Sequence, residues 1–215
     1  MGAYFADGSY LFVPYPTGPR WVPQEQVERE IVFRRWQVPL TTRQMADMAT
    51  ALEADFACDL LMVHQKSKRG QTVRTFLRVV SASFSAIVIL TEGVLHIRGD
   101  RDFRQEASDA VLRFLEKVPT DIPSATVRLL EGQRVVHLTA STGEWRKGTR
   151  LLFYREDGRK IVQVAFGRVT RSRKTIGSLI TFEARLDAPS SLVRPGDKAV
   201  AFFSLPPLLS AWDGS

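Results

Sequence analysis

The chain has 215 residues, 44% hydrophobic and 25% charged, with a formal net charge of +7. That mixture is an ordinary globular one, which excludes a disordered or collagen-like chain. Apolar runs such as Ile87–Leu90 are far too short to cross a bilayer, so no transmembrane helix is expected.

A single cysteine, Cys58, excludes an intramolecular disulfide framework and any cysteine-cluster zinc site. His64, His96 and His137 stand far apart without ligand spacing, so neither a metal nor a cofactor is expected. The charge is uneven. Residues 1–127 carry 15 Lys+Arg against 15 Asp+Glu, whereas residues 128–215 carry 15 against 8. The whole basic excess lies in the second part, a pattern of two units with different jobs.

The start, MGAYFADGSYLFVPYP, has neither a basic n-region nor a continuous apolar core, and Ala6 stands where a myristoylation signal needs Ser or Thr. As given, the chain reads as cytoplasmic. Residues 8–16 predict a short strand ended by prolines, and a short helix is expected from near Pro23 across Glu25–Arg35. Thr41 or Thr42 is a good N-cap for the amphipathic segment TTRQMADMATALEADF, whose Met45, Met48, Ala49 and Leu52 form one stripe at helical spacing. Such a stripe predicts core packing.

The run CDLLMVHQ (58–65) predicts a buried strand, KSKRGQ (66–71) a basic turn, and VRTFLRVVSAS (73–83) a hairpin partner with a bulge. Residues 84–99 supply one or two further strands, and Phe103–Val118 a second amphipathic helix. PTDIPSATV (119–127) reads as linker, because Pro119 and Pro123 stop the helix.

Beyond it the texture is all-β. Strands are expected at 134–140, 149–154, 161–172, 177–186 and within 192–203, with Asp157-Gly158 marking a tight hairpin. Five short strands separated by turns predict a small closed barrel of SH3-like or OB-like kind. The expected organisation is α+β: a small α/β domain over 1–120, a linker over 121–133, a basic barrel over 134–205 and a tail over 206–215. Within that tail, Leu208, Leu209 and Trp212 are candidates to dock on a groove.

Motifs for chemistry are missing: no phosphate-binding glycine loop, no HExxH and no GxSxG occur. Cys58 reads as an inert buried thiol. Asp55 and Asp59 flank it at a helix-to-strand junction, where turn chemistry accounts for them. Asp100, Asp102 and Glu106 read as helix capping, and Glu156-Asp157 as turn residues. A cyclic-dinucleotide receptor of the PilZ type is set aside, since Arg34-Arg35 is poorly placed and DAPSSLVRPG lacks the required turn.

What remains is the basic surface. Arg146, Lys147 and Arg150 lie in the first long loop of the barrel; Arg155, Arg159 and Lys160 surround the next turn. Arg168, Arg171, Arg173 and Lys174 lie at the far end of the 161–172 strand. Of the nearby aromatics, alternation sends Phe153 and Phe166 to the core and leaves Trp145 and Tyr154 to face solvent. Small barrels that bind polyanions pair such cations with stacked aromatics, so nucleic acid or another polyanion is one expected partner class.

The order of elements resembles a group of bacterial envelope proteins. LTTRQMADMATALEADFACDLLMVHQ, TVRTFLRVVSASFSAIVIL and FRQEASDAVLRFLEKV are similar to the small α/β domain shared by TolB amino-terminal regions, CsgG and the middle domain of FlgT-like proteins. GEWRKGTRLLFYRED, QVAFGRVTRS and VRPGDKAV resemble the carboxy-terminal barrel of FlgT-like proteins. Residues 14–39 have no counterpart there, and members of the group usually carry export signals. The resemblance implies a non-enzymatic structural or assembly protein of the flagellar basal body or a secretion pore. Such a protein is oligomeric, located in the periplasm or envelope, and binds protein partners through sheet edges and the basic barrel. It carries over no catalytic residue.

Overall fold

The computed structural model describes residues 9–15, 18–21, 24–35, 39–67, 70–97, 122–158 and 160–210. The chain divides into two units. One takes the described residues within Met1–Thr120 and Ser204–Ser215, the other Asp121–Phe203.

The first unit is an antiparallel sheet with helices. Its elements are β1 (Ser9–Tyr15), β2 (Gly18–Trp21), α1 (Gln24–Arg34), α2 (Thr42–Ala51), β3 (Phe56–Ser67), β4 (Gly70–Ser81) and β5 (Ala86–Ile97). The strand order is β2-β1-β3-β4-β5. Strand β2 is an addition to the expected pattern; it lies at the edge of the sheet, a place that tolerates its Pro19. The β4–β5 ladder carries its bulge between Val79 and Val80.

Helix α2 begins where the capping chemistry placed it. The Thr41 hydroxyl accepts from the Gln44 N–H at 3.2 Å, and the Gln44 side chain accepts from the Thr41 N–H at 2.9 Å. The predicted stripe faces inward: Met45, Met48 and Ala49 are buried against Phe76, Val80 and Ile87 of the sheet. The expected helix over 103–118 lies outside the described residues.

The first unit also recruits residues from beyond the barrel. A single helical turn, α3 (Pro207–Ser210), together with Leu205, brings Leu205 and Leu209 into the same core. The tail expected over 206–215 is therefore structural as far as Ser210, because two leucines gain burial there. The side chain of Leu208 and all of Trp212 lie outside the described residues.

The second unit is a closed barrel of six antiparallel strands. They are β6 (Ser124–Glu131), β7 (Val135–Ala140), β8 (Arg150–Asp157), β9 (Lys160–Ile176), β10 (Leu179–Leu186) and β11 (Lys198–Phe202). The cyclic order is β10-β7-β6-β11-β8-β9. Six strands rather than five correct the sequence-based expectation, and the stretch read as linker over 121–133 supplies the sixth. Strand β6 pairs with β7 on one side and β11 on the other, which closes the barrel. Pro123 breaks nothing, since it precedes the strand and no ladder bond needs its missing N–H. The interior is filled by Val127, Val136, Leu138, Leu151, Phe153, Val169 and Phe182, among others.

At one place the wall is drawn in. A Cβ on Gly167 would lie 2.6 Å from the backbone oxygen of Arg185, so β9 and β10 approach there only because that position has no side chain. Among the described residues, no helix is long and apolar enough to cross a membrane.

Candidate functional site

Three arginines line up across the outer face of the barrel. Register puts Arg150 of β8 directly opposite Arg168 of β9, and Arg168 directly opposite Arg185 of β10. Neighbouring strands run about 4.8 Å apart, so like charges stand on adjacent strands at one level. All three side chains are exposed. Arg168 has Asp187 nearby at 3.8 Å, a long and exposed contact. Among the described residues, Arg150 and Arg185 make no ion pair.

Aromatic rings continue the row on its β11 side. Phe202 stands opposite Arg150 in the β11–β8 ladder, and the guanidinium lies 4.4 Å from the centre of its ring. Phe166 meets Phe202 edge to face, with ring centres 5.7 Å apart, and remains 43% exposed. Beside Phe166 and Arg150 runs a groove of about 400 Å³, whose other wall is the turn Asp187–Ser190. That wall is anchored: the Asp187 N–H donates to the Phe166 carbonyl at 2.9 Å and the Ser190 N–H to the Gln133 carbonyl at 3.1 Å.

The expected basic residues meet different fates. Arg150 and Arg168 are brought together. Arg155 is committed elsewhere: it donates to both carboxylate oxygens of buried Asp197, at 2.7 and 2.9 Å, and to the Leu192 carbonyl at 2.8 Å. The hydrogen bonds to Asp197 hold the Arg155 guanidinium still further above its ordinary pKa. Arg171 stands opposite Glu183, 3.6 Å away. Arg146 lies 2.6 Å from Glu144 in the loop between β7 and β8, with both side chains largely exposed, and Lys147 is exposed beside it. Arg159 lies outside the described residues, as do the side chains of Lys160, Arg173 and Lys174.

Trp145 is not a surface residue. It is 4% exposed, stacks on Phe182 with ring centres 4.8 Å apart, and donates its indole N–H to the Thr142 carbonyl at 2.9 Å. Tyr154 is also buried. A bulge between Phe153 and Tyr154 in the β8–β9 ladder breaks the alternation on which that expectation stood. Phe166, expected in the core, is the exposed ring. Its face of β9 is shared with Arg168 two residues on, and that parity was the available signal. The opposite parity holds Gly167 and Val169, small or inward, because β9 presses on β10 there.

Two further placements bear on chemistry. The Cys58 thiol is pushed up to about 12, by burial and then by the charge of Asp59, so it stays protonated at neutral pH. His137 on β7 is half-buried, with its Nε2 3.2 Å from Glu131 and with Glu183 opposite it on β10. Among the described residues, no group of three or more His, Cys, Asp or Glu comes together in a way that would hold a metal ion. In comparisons with known proteins, no family model and no curated protein matches the chain.

Proposed function

We propose that the protein is a non-enzymatic adaptor whose barrel seats an anionic partner on the row Arg150, Arg168 and Arg185. The observation that carries this reading is the register of the row. Like charges directly opposite each other on neighbouring strands repel. Among the described residues only the distant carboxylate of Asp187 relieves that repulsion, and an anion laid across the three strands removes it. Charge of this kind raises association rate and specificity and is sensitive to salt.

The first unit fits the other half of an adaptor. Its sheet ends on β2 and β5 among the described residues, and strand edges accept added strands from protein partners. The placement of such an adaptor in a bacterial envelope or flagellar assembly is supported by the order of elements alone, an open sheet with helices followed by a barrel.

The test uses fluorescein-labelled poly-L-glutamate as the anion, read by fluorescence anisotropy against salt. Binding at low salt that weakens as salt rises is expected. Arg150→Gln, Arg168→Gln and Arg185→Gln together should abolish it, and Arg146→Gln with Lys147→Gln should leave most of it. Equal losses from both sets would spread the binding over the whole basic surface and defeat the reading.

A further inference from the structure

The arginine row ends beside a groove that charge alone does not explain. We propose that this groove takes an apolar side chain of the partner, so that the anion is a polypeptide segment in which carboxylates flank an aromatic or branched aliphatic residue. This rests on the proposed function and names the partner's chemistry.

The lining decides between polypeptide and nucleic acid. Val164, Ala165, Phe166, Ala188 and Pro189 make the groove mostly apolar. About 400 Å³ is near the lower end of the ~300–1,000 Å³ typical of small-ligand sites, room for a side chain or two. Asp187 stands on its wall, 44% exposed at the side chain, where it disfavours an anion of either kind and leaves the groove to an uncharged side chain. Single strands of nucleic acid need successive open rings on which bases stack. Here the Phe202 ring already holds Arg150 and the edge contact with Phe166, which leaves Phe166 as the one ring of the pair open to the groove.

A guanidinium receives a carboxylate or a phosphate alike through two parallel N–H donors, so the row by itself does not choose between them; a peptide, however, can set its carboxylates on either side of an apolar side chain. Arg150 lines the groove and also heads the row, so one residue lies in reach of both parts of such a segment. The exposed aromatic set into a cationic surface is the usual composition of a binding centre.

The experiment compares three labelled probes on the full chain by anisotropy: Glu-Glu-Glu-Phe-Glu-Glu-Glu, the same peptide with Ser in place of Phe, and oligothymidylate. The Phe peptide is expected to bind about tenfold tighter than the Ser peptide, as burial of one aromatic side chain allows. Phe166→Ser should erase that difference, so that the two peptides bind the variant alike. Arg150→Gln with Arg168→Gln should weaken both peptides; melting curves confirm that each variant is folded. Equal affinity for the two peptides overturns the groove inference and leaves the charged row standing. Preference for oligothymidylate overturns it in favour of nucleic acid. Failure of all three probes at low salt overturns both.

Discussion

Arg78 and Asp59 stand directly opposite each other on β4 and β3, and their side chains close a two-pronged ion pair inside the first unit, at 2.9 and 2.5 Å. Arg78 is completely buried and also donates to the Leu40 carbonyl at 2.6 Å, just ahead of the α2 cap. The pair thus ties the chain before α2 to two strands of the sheet. Removing one partner leaves a buried charge alone, which costs about 3–5 kcal/mol, whereas replacing both with apolar groups costs far less. Arg78→Met and Asp59→Leu are each expected to destabilise by about that amount, and the double variant by less than either sum predicts. Urea unfolding measures this; strictly additive losses would show that the pair does not act as a unit.

Gly167→Ala should loosen the barrel. Its new Cβ would sit 2.6 Å from the Arg185 oxygen and 3.2 Å from the Leu186 Cα, both backbone atoms that cannot rotate away. Overpacking of this kind costs about 1–3 kcal/mol. For a domain of this size each kcal/mol lowers the melting temperature by about 4–8 °C. An unchanged melting point would mean that the two strands separate freely there.

Trp145 offers a separation of stability from binding. Trp145→Phe keeps the stack on Phe182 and loses the hydrogen bond to Thr142, a net loss of about 1 kcal/mol. Trp145→Ala empties a core site and should cost about 3–5 kcal/mol. Below its melting point the Phe variant should bind poly-L-glutamate as the wild type does. A tenfold loss would return Trp145 to the binding surface.

Alkaline pH should weaken the fold. Cys58 rises from 9.0 to about 12, through burial first and the Asp59 charge second, and Tyr154 rises from 10.0 to about 12, through burial and then Glu156. Both groups are neutral when protonated, and the folded state keeps the proton longer than the unfolded chain does. Their contribution is therefore fully present below pH 9.0 and is lost as pH climbs toward about 12. Urea midpoints across that interval should fall, and less steeply in Cys58→Ala. Folded protein should also react slowly with iodoacetamide at neutral pH, and rapidly once unfolded.

Much of the architecture was legible because it follows from periodicity and punctuation. Thr41 or Thr42 announced α2, and Thr41 proved to be its cap; Met45, Met48 and Ala49 announced its buried face, and Asp157-Gly158 announced a hairpin that closes with Asp157 opposite Lys160. The misreadings have local causes. Prolines at 119 and 123 made Ser124–Glu131 look like linker, although strand pairing depends on partners far along the chain. Asp59 looked like a turn residue until pairing set Arg78 opposite it. The arginine row was half visible, in Arg150 and Arg168, but Arg185 joins it only through the β9–β10 register, which no sequence window contains. Phe166 was hidden by the assumption that the bulkier face of a strand points inward.

The first and last strands of the barrel pair with each other, so the chain enters and leaves that body side by side, and the two leucines at 205 and 209 then return to the core begun by α2. A nascent chain must therefore deliver the whole barrel from the ribosome before the earlier unit can finish its interior. Until then the part of its core that those two leucines cover stands open to chaperones, and the barrel behaves as a parenthesis in the sentence of folding.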